Sequence, residues 1–375
     1  MRGHFTRTPE ALARMDDGRT LAELRHSIDD INLQLLSLLS RRAQLAQDVA
    51  QLKERTGRDV HDPERELTML DALVGANEGP LPDHVVAELF QDIFRHSRRF
   101  MEQSTREALE VSRTDGRPDA VIEVKGHRLG ESPVVIAGPC SVESRQQLDE
   151  TARFLASRGV RWLRGGAWKP RTSPYDFQGL GEPALELLAE VGHRYGLATV
   201  TEVVDTRQVA LAARFVDVLQ VGARNMQNFE LLKELGGVDR PVLLKRGPAA
   251  TLQELLKAAE YVVARGNRRV ILCERGVRGF ERETRYTLDI SAVPLLRQMT
   301  WLPVVVDVSH AAGRRDILPA LGRAALAAGA QGVMVEVHPR PAVALSDSQQ
   351  QLDFDDFDDF HQALGLSRTA PETHP

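Results

Sequence analysis

The sequence predicts an α/β chain, a (β/α)8 TIM barrel preceded by a separate all-α domain of three helices. Three observations carry that prediction. From residue 134 onward, eight short β-branched runs alternate with helical stretches over about 250 residues, the arithmetic of a closed eight-unit barrel. Residues 20–105 show helical periodicity only. Between these halves, residues 104–120 lose the periodicity and gain Gly, Pro and charge. A length of 375 residues suits one barrel-sized domain plus a smaller one. An open doubly wound sheet is the alternative, but it calls for fewer strands and a Gly-rich first turn, which is absent.

Along the chain, residues 1–19 are basic but lack an apolar segment, so they read as a tail and not as a secretory signal. The helical domain is expected over 20–112. Thr20 with Glu23 forms a capping box. Leu21, Leu24, Ile28, Ile31, Leu35 and Leu38, then Leu45, Val49 and Leu52, step by three and four like a coiled-coil seam that ends near Gly57. About 35 residues make a helix roughly 52 Å long. A domain of about 100 residues has a radius of gyration of only about 13 Å, so the seam calls for a partner chain. A second helix starts at Asp62-Pro63, with Asp as cap and Pro at the first position. A third follows Pro82-Asp83, with Val86, Phe90, Ile93 and Phe94 on one side.

A linker is expected at 113–119 and the barrel over 120–375, opening with a hairpin around Lys125-Gly126. The eight expected strands are Val134–Ala137, Val160–Leu163, Ala198–Val203, Val216–Val221, Val242–Leu244, Val270–Leu272, Val304–Val308 and Gly332–Val335. Gly159, Gly196, Gly266 and Gly329 stand where helices should end, and Thr251 with Glu254 is another capping box. Phe354, Phe357, Phe360 and Leu364, interleaved with five aspartates, describe a last helix with one apolar and one acidic face.

Composition narrows the function classes. Lys+Arg 48 against Asp+Glu 53 gives net −5, which argues against broad nucleic-acid binding. With 42% hydrophobic and 27% charged residues the chain is globular. No apolar run approaches the ~18 residues of a membrane span. Two cysteines make no disulfide framework, so a reducing, cytoplasmic setting is expected.

In such a barrel, chemistry sits at the C-terminal strand ends. Two arcs appear there. Strands seven, eight and one are neighbours on closure, and their ends carry His310, Glu336, Asp347 and Cys140. Thiolate, imidazole and two carboxylates suit a divalent transition metal. The other arc carries Arg164, Lys169, Arg171, Arg224, Lys245 and Arg275, a set suited to phosphate and carboxylate groups. Glu202 sits near the third strand end. The plainer readings are that Cys273 is a small core residue, that Cys140 is either that or a ligand, and that strand-end arginines pair with neighbouring acids. In the helical domain, Arg42 interrupts the seam. A buried guanidinium should meet an anion, and Lys53, 11 residues on, lies about 20° around and roughly 16 Å along. Arg25 lies 17 residues before Arg42, about 25 Å away, and joins that site only from an antiparallel partner. A coiled-coil register device is the alternative.

The stretches GPCSVES, RGGAWKPRTSPYDFQGLG, VGARNMQN, LLKRG, DVSHAAGRRD and EVHPRP…ALSDSQQQL closely resemble the short (type I-beta) branch of the 3-deoxy-arabino-heptulosonate 7-phosphate (DAHP) synthases, across essentially all of 120–365. The resemblance implies condensation of phosphoenolpyruvate with D-erythrose 4-phosphate. Cys140, His310, Glu336 and Asp347 would hold a divalent metal such as manganese, which polarises the aldehyde oxygen. Arg164, Lys169, Arg224, Lys245 and Arg275 would hold phosphoenolpyruvate, with Arg171 and Thr172 reaching erythrose 4-phosphate. Lys169 becomes the candidate proton donor, and Glu202 the residue that orients the attacking water. The helical half resembles the all-α chorismate mutases. Arg25, Arg42, Lys53, Asp62, Arg65, Glu66 and Ser97 match that family's chorismate- or prephenate-binding positions, with Arg25 supplied by a partner chain in a homo-oligomer, dimer or tetramer. Where that family places Gln or Glu, this chain has Met101, which can donate no hydrogen bond to the breaking ether oxygen. Three competing readings follow. The barrel could be a sister condensing enzyme using a five-carbon sugar phosphate, or a Schiff-base aldolase through Lys245. The helical domain could be a non-catalytic sensor that regulates the barrel.

Overall fold

The computed structural model describes residues 19–55, 62–107, 109–114, 116–170, 173 and 175–366. Residues 1–18 of the expected tail, the expected helix end at Gly57, and Arg171 and Thr172 lie outside the described residues. The chain divides into two compact units, residues 1–108 and 109–375.

The first unit holds α1 (Leu21–Arg55), α2 (Pro63–Gly75) and α3 (Asp83–Glu107), with α3 packed on both others. The capping box forms as the spacing requires: Thr20 N–H donates to Glu23 Oε2 at 2.7 Å, and Glu23 N–H to Thr20 Oγ1 at 3.3 Å. Asp62 caps α2 by accepting from Arg65 N–H at 3.1 Å, with Pro63 at the first helical position. Every residue of the α1 seam except Leu24 is at least 51% exposed. An apolar stripe of that length is a surface that monomers seldom leave open.

The second unit starts earlier than the composition places it. Arg113, Arg117 and Asp119 of the stretch expected as a linker lie against the barrel. Val111 is fully buried, Arg113 N–H donates to Met299 O at 2.9 Å, and Asp119 pairs with both Arg113 and Arg297. The Arg117 guanidinium stacks 3.8 Å above the Trp301 ring. A hairpin follows, β1 (Ile122–Val124) and β2 (His127–Leu129), turned by Lys125 and Gly126 at φ 50° and 79°. Positive φ at both turn residues matches the right-handed strand twist.

Eight parallel strands then close a barrel: β3 (Val134–Gly138), β4 (Trp162–Arg164), β5 (Ala198–Val203), β6 (Val218–Val221), β7 (Val242–Lys245), β8 (Val270–Glu274), β9 (Val304–Asp307) and β10 (Gly332–Glu336), with β10 paired to β3. The connections carry α4 (Arg145–Ser157), α5 (Glu182–Arg194), α6 (Thr206–Phe215), α7 (Phe229–Gly236), α8 (Leu252–Val263), α9 (Ala292–Met299), α10 (Val308–Ala312) and α11 (Leu318–Ala327), and α12 (Phe354–Leu364) closes the ring. Ile122, Val124 and Leu129 of the hairpin join Ile136, Trp162, Val200, Val218, Leu243, Ile271, Cys273, Val305 and Met334 in one interior cluster. Cys273 is therefore a filled core position, as its plainer reading held. Among the described residues no helix is long and apolar enough to cross a membrane.

Candidate active site at the barrel mouth

The strand ends aim polar side chains into one cavity of about 170 Å³. Its lining brings together Arg164, Lys169, Glu202, Arg224, Lys245, Arg275, His310 and Asp347 from the sequence reading. Gly138 makes the close approach of β3 and β4 possible. Its φ is 148°, and a Cβ there would sit 2.0 Å from the Arg164 carbonyl oxygen. Only glycine fits, and Cys140 follows two residues later.

Cys140 is fully enclosed. Its Sγ lies 3.0 Å from Lys169 Nζ, 3.0 Å from Ser346 Oγ and 3.2 Å from Asp347 Oδ2. Burial, reinforced by Glu336, pushes the thiol up to about 12 against the pull of Lys169 and Arg164. The side chains of Cys140, Glu336 and Asp347 offer ligand atoms within 4.8 Å of one another. His310 Nε2 stands 3.4 Å from Glu336 Oε1 and 3.9 Å from Asp347 Oδ2. Asp347 itself sits in the left-handed region at φ 47°, which aspartate tolerates better than most residues. One thiol, one imidazole and two carboxylates form a donor set that a divalent transition metal accepts, and a cation there stabilises the thiolate that burial opposes.

The surrounding charges are tightly matched. Arg164 Nη1 donates to Glu336 Oε1 at 2.6 Å, with both side chains no more than 2% exposed. Burial alone would raise the Glu336 carboxyl, but His310, Arg164 and Lys169 outweigh it and hold it at about 2. Lys245 pairs with the buried Asp307. His310 Nδ1 lies 2.8 Å from Asp307 Oδ2, close enough for charge pairing but off the line of a hydrogen bond. Burial pushes the His310 imidazolium down while Asp307 and Glu336 oppose it. Glu202 Oε2 accepts from Gln220 Nε2 at 3.2 Å. The Arg275 guanidinium lies 4.2 Å from the Tyr286 ring centroid. Arg164 Nε, Gln220 Oε1 and His310 Nδ1 are buried without a hydrogen-bond partner. Arg164 Nε and Gln220 Oε1 thus leave polar capacity on the cavity-lining residues that a bound group could use.

The helical unit gathers a smaller cluster. Arg42 donates to Ser97 Oγ, and its guanidinium lies 5.2 Å from the Phe94 ring centroid. Glu66 pairs with Arg98, and Ser97 Oγ donates to Ile93 O at 2.7 Å. Burial lowers Arg42 while Glu66 opposes that. The structure thus joins Arg42, Ser97 and Glu66 across all three helices. Arg42 meets a hydroxyl and an aromatic face at contact distance. Asp62 and Arg65 meet as helix cap and capped N–H. Arg25 stays exposed, on the same unbroken α1 as Arg42 and Lys53.

Residues 119–370 match the DAHP synthetase I family, and residues 24–102 match chorismate mutase type II. The chain belongs to the DAHP synthetase I family. A phospho-2-dehydro-3-deoxyheptonate aldolase of Thermotoga maritima is 52% identical over 255 residues, covering 68% of this chain and 75% of that protein. The crystal structure of a Thermotoga maritima DAHP synthase superposes with TM-score 0.67 at 51% identity, covering 68% of this chain and 76% of that one. More distant is a 2-dehydro-3-deoxyphosphooctonate aldolase of Rhodopseudomonas palustris, 33% identical and covering 61% of this chain and 86% of that protein. Within this DAHP synthetase I barrel, the sequence reading missed Asp307, Arg285, Tyr286, Ser346, Gln350 and Gln220. Asp307 stood in the quoted DVSH run, where a carboxylate three residues before a histidine was its signal. Arg285 and Gln350 lie in loops that offer no periodic frame. In the mutase-like unit the missed residue is Arg98, which pairs with Glu66.

Proposed function

We propose that the barrel condenses phosphoenolpyruvate with D-erythrose 4-phosphate and water to give DAHP and phosphate. The observation that carries this is a cavity walled by cations onto which His310 and Asp347 open from the cluster of metal-type donors around the enclosed Cys140. The family match and the Thermotoga maritima relative support the same substrates. Cys140, His310, Glu336 and Asp347 would hold a divalent cation, manganese by our reading, which when bound supplies Lewis acidity toward a carbonyl oxygen.

The chain's own residues do the rest. Arg164, Arg224, Lys245 and Arg275 fix the phosphate and carboxylate of phosphoenolpyruvate, and Arg171 and Thr172 serve the second phosphate ester. Lys245 is engaged by Asp307, which supports a fixed cation over a Schiff-base amine. As C3 of phosphoenolpyruvate bonds to the aldehyde carbon, Lys169 Nζ delivers a proton to the aldehyde oxygen. Glu202, held by Gln220, orients the water that adds at C2, after which phosphate departs.

The helical unit binds chorismate or prephenate through Arg42, Lys53, Asp62, Arg65, Glu66 and Ser97, completed by Arg25 of a second copy. The exposed α1 seam supports that homo-oligomer, and Met101 supports weak mutase turnover with a regulatory role beside it. The two free, buried cysteines fit a reducing, cytoplasmic setting. The test is to assay the purified chain with erythrose 4-phosphate and, separately, arabinose 5-phosphate, beside conversion of chorismate to prephenate. Turnover confined to the four-carbon aldose supports the reading. Preference for the five-carbon sugar makes the barrel the sister enzyme, and chorismate binding with no conversion makes the helical unit a sensor alone.

A further inference from the structure

We propose that Arg285 and Gln350 are positioning residues, one connected device that decides which oxygens of Asp347 and Glu336 face the shared centre. This rests on the metal reading above.

Each of the two carboxylates is split. Asp347 Oδ1 is drawn away by Arg285 Nη1 at 3.5 Å, while its Oδ2 points inward, 3.2 Å from Cys140 Sγ and 3.9 Å from His310 Nε2. Glu336 Oε2 is held back by Gln350 Nε2 at 2.6 Å, while its Oε1 points inward, 3.4 Å from His310 Nε2. The two holders are joined, since Arg285 Nη1 also donates to Gln350 Oε1 at 3.0 Å. That contact fixes the amide, because its oxygen must accept from the guanidinium and its NH2 is left to face Glu336. A carboxylate beside an amide NH2 is satisfied, whereas the flipped amide would set oxygen against oxygen.

The device is anchored at both ends. Arg285 belongs to the loop after β8, and its N–H donates to Ala312 O at 2.9 Å. Ala312 ends α10, the short helix that carries His310. Gly313, at φ 69°, leaves no room for a Cβ, which would stand 2.5 Å from Arg285 Cβ. The loop is thus clamped to the element of a third ligand-type residue. At the other end, Gln350 is 3% exposed, and its N–H donates to Asp347 O at 3.2 Å, closing the turn that keeps Asp347 at positive φ. Without Arg285, Asp347 keeps its backbone turn but loses what fixes its χ angles, and the Gln350 amide loses the partner that sets its orientation. Partners of this kind are general in metal sites, and their loss weakens metal affinity about 10- to 100-fold.

Arg285 also lines the substrate cavity, so a direct substrate contact is the rival role. The experiment separates them. Full-length protein, stripped with chelator, is titrated with Mn2+ without substrate, and free Mn2+ is read by electron paramagnetic resonance. Arg285→Met and Gln350→Leu should each bind Mn2+ about 10- to 100-fold more weakly than wild type. The double variant should be little worse than either single one, because both act through one unit. Melting of metal-free Arg285→Met should stay near wild type, whereas Gln350→Leu should melt lower because the buried Glu336 Oε2 loses its donor. Should Gln350→Leu fail to fold, Gln350→Asn, too short to reach Glu336, replaces it. Mn2+ affinity in Arg285→Met and the Gln350 variant within about twofold of wild type overturns the proposal. A raised KM for phosphoenolpyruvate at unchanged Mn2+ affinity makes Arg285 a substrate ligand instead. A wild type that binds no Mn2+ overturns the metal reading itself, a separate and recognisable result.

Discussion

Replacing Arg164 by Met removes one member of the most deeply buried ion pair at the barrel mouth and keeps much of its volume. Glu336 then stays enclosed, with its Oε1 no longer receiving the 2.6 Å hydrogen bond. Breaking a buried pair from one side costs about 3–5 kcal/mol, because the surviving charge is left uncompensated. His310 and Lys169 still act on Glu336, so the lower end, about 3 kcal/mol, is expected. The depressed Glu336 carboxyl has the sign this requires, with Arg164 one of the three cations that hold it down against burial. For a domain of this size a loss of about 3 kcal/mol lowers the barrel's melting midpoint by roughly 6–12 °C. The assay is scanning calorimetry in chelator at pH 7 and at pH 4. The sign is fixed by the depressed carboxyl. Its contribution is fully present above the unfolded value and is lost as pH falls toward about 2. In the variant Glu336 protonates at higher pH, so the gap between the two proteins is widest at pH 7 and narrows at pH 4. A midpoint at pH 7 within about 2 °C of wild type, or a gap that widens in acid, refutes this electrostatic account.

Three further outcomes follow from the same geometry. Cys273→Ala trims a side chain in the barrel interior, so it should lower stability by about 1 kcal/mol and leave turnover and metal affinity unchanged, checked by calorimetry and assay. Arg275→Ala should raise the KM for phosphoenolpyruvate by the worth of a charge-assisted contact, about 1.5–3 kcal/mol or roughly 10- to 150-fold, with the KM for erythrose 4-phosphate unmoved in steady-state kinetics. Met101→Gln restores a hydrogen-bond donor at the chorismate site, so mutase kcat should rise about 10²- to 10³-fold at similar chorismate affinity; an unchanged kcat means another group already supplies that bond.

Much of the barrel was legible because parallel strands buried on both faces read as unbroken β-branched runs. All eight runs became strands, with shifted ends that have physical causes. Val160 and Val216 were assigned to strands, yet their N–H groups close the preceding helices by donating to Leu155 O and Ala212 O at 3.1 and 3.0 Å. At the other ends, Arg164, Lys245, Glu274 and Glu336 continue their strands past the last apolar residue. These polar ends were read as loops because periodicity stops where the core stops. Part of the donor arc was legible from the same frame, since the β10–β3 pairing sets the end of Glu336's strand beside the loop that carries Cys140. What the sequence concealed is pairing. Nothing in the spacing of Lys245 and Asp307, 62 residues apart, announces that they meet. The segment 109–119 likewise reads as polar and broken, although one buried valine and one arginine fasten it to the barrel. In the helical unit the capping box and seam were plain, while the Arg42–Ser97 contact depends on a tertiary crossing that no local pattern encodes.

A cation-dependent condensation organised by Cys140 stands or falls on phosphate release. The most direct measurement is release of phosphate from phosphoenolpyruvate in the presence of erythrose 4-phosphate by chelator-stripped wild type, by the same protein after Mn2+ is restored, and by Cys140→Ala treated identically. Stripped protein should release negligible phosphate, wild type should recover with Mn2+, and Cys140→Ala should not recover despite an intact barrel by circular dichroism. Full turnover in chelator, or recovery in Cys140→Ala equal to that of wild type, contradicts that dependence.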